Sequence, residues 1–313
     1  MAQTKSSAPG KVILFGEHAV VYGKPAIAVP VTNVQATVII EPAPPGSGLT
    51  LTASDLDKSL SLSAAPRDEP LAVAARLTLA HLAVPEPDAI LVVSSTIPIA
   101  SGLGSGAAVS TALIRALAKF LGRALSIVEI STLTFEVEKI HHGTPSGIDN
   151  TVISYEQPVY FVREQPIRRV NVGAPFTLLI GDTGTRCSTK KAVDHVRQSR
   201  KRSPARYDAL FDQIGDIVDG AYRAIETGDV DTLGPLMDNN HQLLSKLGVS
   251  SPKLDKLVEA ARFAGARGAK LSGAGRGGNM ITLAEDDTGA EVTEALREAG
   301  ATRVIRTCIT TTD

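Results

Sequence analysis

Residues 98–110, PIASGLGSGAAVS, constrain this chain more than any other stretch. A β-type run, AILVVSSTI (89–97), leads into a bend with glycines at 102, 104 and 106. A helical run, GAAVSTALIRALAKFLG (106–122), leaves the bend and ends at Gly122. Glycine lets the backbone come close to a ligand, and a helix start offers unpaired N–H groups at the positive end of its dipole. The segment therefore reads either as an anion cradle suited to phosphate or as a plain strand–helix turn packed with small residues. Two other phosphate motifs are excluded. No G-x-x-x-x-G-K-[ST] occurs, and where a dinucleotide fingerprint wants an acidic residue about 20 positions on, the chain reads LGRAL.

A second segment, FEVEKIHHGTPSGIDN (135–150), supplies two carboxylates. Ser126 and Glu129 form an S-x-x-E capping box that opens a helix predicted to run to about His142 and to stop at Gly143. Glu138 lies late in that helix, and Asp149 follows 11 residues on, past a Gly-Thr-Pro-Ser-Gly turn. Carboxylates from a helix end and the following loop can converge, one holding a metal and the other accepting a proton. Taken singly, they would be a solvated helix charge and a turn former. His141 and His142 are adjacent, so on a helix they point about 100° apart and cannot share one metal; they read as surface or packing residues. In a third segment, KLSGAGRGGNM (270–280), Gly273, Gly275 and Gly278 satisfy G-x-G-x-x-G. The following NMITLA is strand-like, which defeats a dinucleotide reading and leaves a glycine-rich connection between two strands, either a hairpin or a wall that a ligand can approach.

The rest of the chain sets the architecture. Apolar runs within 6–40 read as strands and turns, EPAPPGSG (41–48) as a loop, and 71–83 as a helix. PVYFV (158–162) and FTLLIGD (176–182) read as strands, and roughly 188–201, 203–227, 229–247 and 251–265 as helices. A helix over 289–299 and a terminal β-run, TRVIRTCITTT, complete the pattern. This mixture predicts two α+β units, not a regular βαβ array, with a boundary near 165–175 and domains taken as 1–170 and 171–313. With 313 residues, 43% hydrophobic and 21% charged, the chain can bury a real core and is neither disordered nor collagen-like. No apolar run reaches the ~18 residues of a membrane span, and MAQTKSSAPGK lacks the apolar stretch of a secretory signal. Cys187 and Cys308 cannot form a disulfide framework or a zinc site. A net charge of −1 argues against general nucleic-acid binding.

SAPGKVILFGEHAVVYGKPAIA (7–28), taken with PIASGLGSGAAVS, GTPSGIDN and KLSGAGRGGNM, resembles the GHMP kinase superfamily, and within it the branch acting on mevalonate. The family motifs occur in order over residues 7 to 280, and the GEHAVVYG string separates the chain from galactokinases, in which GEH is followed by T-D-Y. The resemblance implies a two-domain α+β kinase with ATP and an acceptor alcohol in the cleft between the domains, phosphorylating the 5-hydroxyl of mevalonate. Ser101, Gly102, Leu103, Gly104, Ser105, Gly106, Ala107 and Ala108 resemble the family's phosphate loop, with Gly273 and Gly275 closing the site on the nucleotide. Asp149 matches the carboxylate that takes the hydroxyl proton, and Lys11 the lysine paired with it. Glu138, with Ser105, matches the Mg²⁺ ligands. Glu17, His18 and Thr189 sit where the family contacts its acceptor.

The resemblance also implies ATP as co-substrate, a cytoplasmic setting, no nucleic-acid or membrane partner, and leaves a homodimer open. Kinases of phosphomevalonate or of another mevalonate hydroxyl, GHMP-type decarboxylases and non-catalytic sensors share much of the pattern. Intact Lys11, Glu138 and Asp149 argue against a sensor. Two departures stand out. The family usually reads G-L-G-S-S, its second serine touching Mg²⁺, whereas here Gly106 lacks that hydroxyl, leaving Ser105 or a water to replace it. Arg276 and Asn279 interrupt the glycine-dominated third motif, with Arg276 reaching either a triphosphate or solvent. Arg186, Lys190, Lys191, Arg197, Arg200, Lys201 and Arg202 form a basic cluster, mostly a solvated helix face, whose first members could attract an anion.

Overall fold

The alternation in VQATVII is realised in a long strand. Following β1 (Thr4–Phe15), strand β2 (Ala26–Pro42) buries Val34, Ala36, Val38 and Ile40 and turns Gln35 outward. The computed structural model describes residues 2–98, 101–142, 145–186, 188–285 and 287–311, and the side chains of His141 and His142 fall outside this description. Two compact units are present. One comprises Met1–Lys11, Val34–Ile99 and Leu103–Glu156, the other Val12–Asn33, Ala100–Gly102 and Gln157–Asp313. Neither is contiguous in sequence, whereas the sequence reading placed one cut near residue 170.

In the first unit, β3 (Leu49–Ala53) and β4 (Lys58–Ser61) follow the Pro-Gly loop, and α1 (Pro70–Leu82) leads to β5 (Ala89–Ser95). The C-terminal part of β2 pairs antiparallel with β5, which pairs in parallel with β3, which pairs antiparallel with β4. The glycine bend then opens α2 (Ser105–Phe120), followed by α3 (Ile127–His142) and α4 (Ile148–Tyr155). Ile114, Ile130 and Leu133 pack in a core cluster joined by Leu77 and Leu125. The capping box forms as read: Ser126 N–H and Oγ donate to Glu129 Oε2, and Glu129 N–H donates to Ser126 Oγ. The stop expected at Gly143 lies outside the described residues.

In the second unit, the start of β2 pairs antiparallel with β6 (Val159–Phe161), which pairs with β7 (Arg168–Arg169). A four-stranded antiparallel sheet contains β8 (Phe176–Asp182), β9 (Gly268–Ser272), β10 (Asn279–Ala284) and β11 (Arg303–Ile309), in the order β11-β8-β10-β9. Its helices are α5 (Thr189–Arg202), α6 (Pro204–Thr227), α7 (Val230–Lys246), α8 (Pro252–Phe263) and α9 (Gly289–Glu298). The α+β class expected from sequence holds. Two local readings are corrected. The segment beginning at Ile148 is a helix and not a loop, and β2 continues two residues into EPAPPGSG before it ends; Gly106 lies inside α2, in keeping with the helical run read from 106.

Candidate active site

Five residues of the first unit converge. Lys11, on β1, donates its backbone N–H to Leu103 O at 2.9 Å, which seats the glycine bend beside it. Gly104 caps α2 with φ 73°, in the left-handed region. A Cβ there would lie 2.9 Å from both Lys11 Cγ and Ile153 Cδ1, so glycine is required on two counts. The Lys11 side chain is thus laid across the helix start, and its Nζ meets Asp149 Oδ1 at 3.1 Å. Asp149 occupies the first turn of α4, behind Gly147 (φ 91°), where the helix dipole favours its negative charge. Lys11 is buried and Asp149 is one-third exposed, so the carboxylate remains reachable.

Glu138 approaches the same charges from α3. Burial and, after it, the Asp149 carboxylate push its carboxyl up to about 7, with Lys11 opposing the rise. A Cβ on Gly106 would stand 3.2 Å from Glu138 Oε1, so the second residue of α2 faces this glutamate directly. Two acids against one lysine leave the cluster one positive charge short, and its donors are hard oxygens. That composition fits a divalent cation such as Mg²⁺. Among the described residues no group of three or more His, Cys, Asp or Glu side chains could hold a metal ion, so phosphate oxygens and water would complete the coordination.

The helices are fixed by side chains that the sequence reading passed over. Asn150 Nδ2 donates to Ser131 O and Oγ, joining α4 to α3. Thr111 Oγ1 lies 3.0 Å from Thr134 Oγ1 and 3.5 Å from Ser154 Oγ, a buried polar seam shared by α2, α3 and α4. Arg115 donates to Ser7 O and Ser154 O and pairs with Glu156, so β1 and the end of α4 hang from one guanidinium. These bonds hold Lys11, Asp149 and Glu138 in register. Buried Asn and Thr on helices carry no motif, which is why only the structure reveals them.

The other sequence candidates belong to the second unit. Glu17 and His18 lie between β1 and a 3₁₀ turn, Ala19–Tyr22, and both are buried. His18 has φ 61° and its Nε2 donates to Ala274 O at 3.0 Å; burial, with Arg276 and His195 nearby, lowers its imidazole to about 4. Thr189 is exposed in the first turn of α5. Gly273 and Gly275 have φ of 83° and 75° in the β9–β10 connection, where a Cβ on Gly275 would collide with Val249 O. The connection is anchored on both sides of Gly278: its N–H donates to Thr185 O at 2.8 Å, while its carbonyl accepts from Thr183 N–H and Oγ1, each at 2.9 Å. Asn279 Nδ2 donates to Ser101 O at 2.6 Å.

Arg276 is exposed, as the solvent-facing alternative had it, but its side chain is also engaged. It holds φ 59°, its N–H donates to Val249 O at 2.7 Å, and its guanidinium donates to Gly248 O beyond the C-terminus of α7. It serves that helix end, although its backbone conformation is one that glycine adopts more readily. In the basic cluster, Arg197 and Arg200 pair with Asp194 and Asp208. Cys187 lies outside the described residues.

Comparison with known proteins identifies the family. Residues 70–157 match the family model for the GHMP kinases N terminal domain, and residues 221–302 that for the GHMP kinases C terminal. Similar proteins include the mevalonate kinase of Pyrococcus furiosus, 37% identical over 96% of this chain and 94% of its own length. The mevalonate kinase of Thermococcus gammatolerans is 38% identical over the same shares. The crystal structure of L. major mevalonate kinase in complex with R-mevalonate superposes with a TM-score of 0.85 at 30% identity, covering 98% of this chain and 96% of that one. The chain belongs to the GHMP kinases, the enzymes of that superfamily whose curated relatives here are mevalonate kinases.

Proposed function

We propose that this enzyme transfers the γ-phosphoryl group of ATP to the 5-hydroxyl of mevalonate, giving 5-phosphomevalonate and ADP. The single observation that carries the chemistry is the Lys11–Asp149 pair beside the N-terminus of α2. Phosphoryl transfer asks the protein mainly for alignment and charge neutralisation. Asp149 accepts the proton of the attacking alcohol, and Lys11 holds that carboxylate in place while lending positive charge to the transferring group. The α2 amides, within Ser101–Ala108, cradle the phosphates. Glu138 and Ser105 would hold Mg²⁺, which when bound neutralises phosphate charge. Gly273 and Gly275 contribute a wall against the nucleotide, and His18 and Thr189 serve the acceptor side.

The family-model matches fall on either side of residue 170, which supports 1–170 and 171–313 as the stretches carrying the two family modules, although the second compact unit draws chain from both. No helix among the described residues is long and apolar enough to cross a membrane, and a cytoplasmic setting is part of the proposal. A homodimer is part of the proposal and is read by light scattering. The activity is tested by ADP release with mevalonate, phosphomevalonate and mevalonate diphosphate as separate acceptors. Turnover with mevalonate alone, without carbon dioxide release, is expected; turnover only with a phosphorylated acceptor overturns the substrate assignment, and silence with all three overturns the enzyme reading.

A further inference from the structure

Glu17 is completely buried, and so is the lysine it meets. Lys270 Nζ, on β9, donates to Glu17 Oε1 and, at 2.8 Å, to Leu271 O; both side chains have 0% exposure. Phe15 lies beneath the ammonium, its ring centroid 5.9 Å from Nζ. Burial raises the Glu17 carboxyl and lowers the Lys270 amine, each opposed by the charge of the other, and the N–H groups of Glu17 and Gly273 further favour the carboxylate. The remaining oxygen, Oε2, is buried without a hydrogen bond among the described residues. A carboxylate in this position has no surface left with which to touch a ligand.

The pair is flanked by further bonds to the third glycine motif. Lys270 opens KLSGAG, Ser272 Oγ donates to Ile13 O at 2.7 Å, and His18 Nε2 donates to Ala274 O at 3.0 Å. Residues 13–18 and 270–274 are thus stitched along their length, with the Glu17–Lys270 pair as the only buried ion pair of two fully buried partners among the described residues. A buried pair is a poor source of net stability, since desolvation offsets most of the attraction, but losing one partner is severe because the other charge is stranded.

We infer that Glu17 is a positioning residue and not an acceptor contact: through Lys270 it fixes the third glycine motif in the conformation that meets the nucleotide. This rests on the nucleotide role proposed above for Gly273 and Gly275. It replaces the acceptor role given to Glu17 by family resemblance, and it leaves Lys11 and Asp149 as the groups that address the hydroxyl.

The experiment compares Glu17→Gln, Lys270→Met and the double variant in the full chain. Calorimetry measures affinity for a non-hydrolysable ATP analogue and, separately, for mevalonate, and amide hydrogen exchange follows residues 270–276. Each single variant is expected to weaken nucleotide binding several-fold, to leave mevalonate affinity unchanged and to speed exchange in 270–276. The double variant, free of any stranded charge, recovers slow exchange and nucleotide affinity. Loss of mevalonate affinity in Glu17→Gln that the double variant does not restore overturns the inference, as does unchanged exchange in 270–276. If Glu17→Gln fails to fold, the double variant alone decides between these outcomes through its mevalonate affinity. A wild-type chain that binds neither ligand instead refutes the proposed function, while exchange in 270–276 still tests the brace.

Discussion

Lys11 Nζ sits 3.1 Å from Asp149 Oδ1, and the lysine is buried while the aspartate is partly open to solvent. The asymmetry matters: the cation is held by the fold, and the anion is presented to whatever enters. Asp149→Asn keeps the shape, removes the proposed proton acceptor and leaves Lys11 without its counter-charge. It is expected to lower kcat by ~10²–10⁴-fold, with ATP affinity nearly unchanged. Single-turnover kinetics alongside nucleotide titration checks this; retained kcat removes Asp149 from the mechanism.

Gly106 faces Glu138 from the first turn of α2, its virtual Cβ 3.2 Å from Oε1. Restoring the family's serine with Gly106→Ser needs a shift of a few tenths of an ångström and adds a hydroxyl beside the carboxylate. The expected outcome is a several-fold fall in the Mg²⁺ concentration for half-maximal activity, with mevalonate KM unaltered. A Mg²⁺ titration at saturating ATP measures it, and an unchanged midpoint counts against Glu138 as a metal ligand.

Asn279 ties the start of β10 to Ser101 O. Asn279→Ala removes this hydrogen bond and is expected to cost about 1 kcal/mol of stability. ATP KM should rise while mevalonate KM holds. Denaturant unfolding and initial rates read the two effects, and a variant altered in mevalonate KM alone contradicts the assignment.

His18 shapes the response to acid. Its imidazole titrates near 4 in the folded protein against an ordinary value of 6.5, so the unfolded chain binds the proton first. Stability from this group is complete above about pH 6.5 and is lost as pH falls toward 4, costing about 2 kcal/mol by pH 5. His18→Gln, whose amide can still donate to Ala274 O, should flatten the fall in unfolding free energy between pH 7 and 5. Equal slopes in variant and wild type would show that other groups govern it.

Much of this was legible in the sequence, and the exceptions have physical causes. The glycine bend that opens α2, the capped α3 and the helices of the second unit announced themselves through glycine placement, the S-x-x-E box and apolar periodicity. Helix α4 did not: eight residues behind Pro-Ser-Gly are too few to show a period, so Asp149 looked like a turn residue when it opens a helix. Glu17 and Lys270 are 253 residues apart, and only the fold reveals that two charged residues cancel one another in the interior. Arg276 in a left-handed conformation is equally invisible, because nothing local compels a non-glycine residue to adopt it.

The interleaving of the units limits how this polypeptide can be divided. The segment Val12–Asn33 folds with residues that come after Gln157. A gene cut at residue 170 would therefore send Glu17 out on one fragment and Lys270 on the other, each carrying an orphaned charge. Neither half should be soluble when expressed alone, and co-expression should rescue both by complementation.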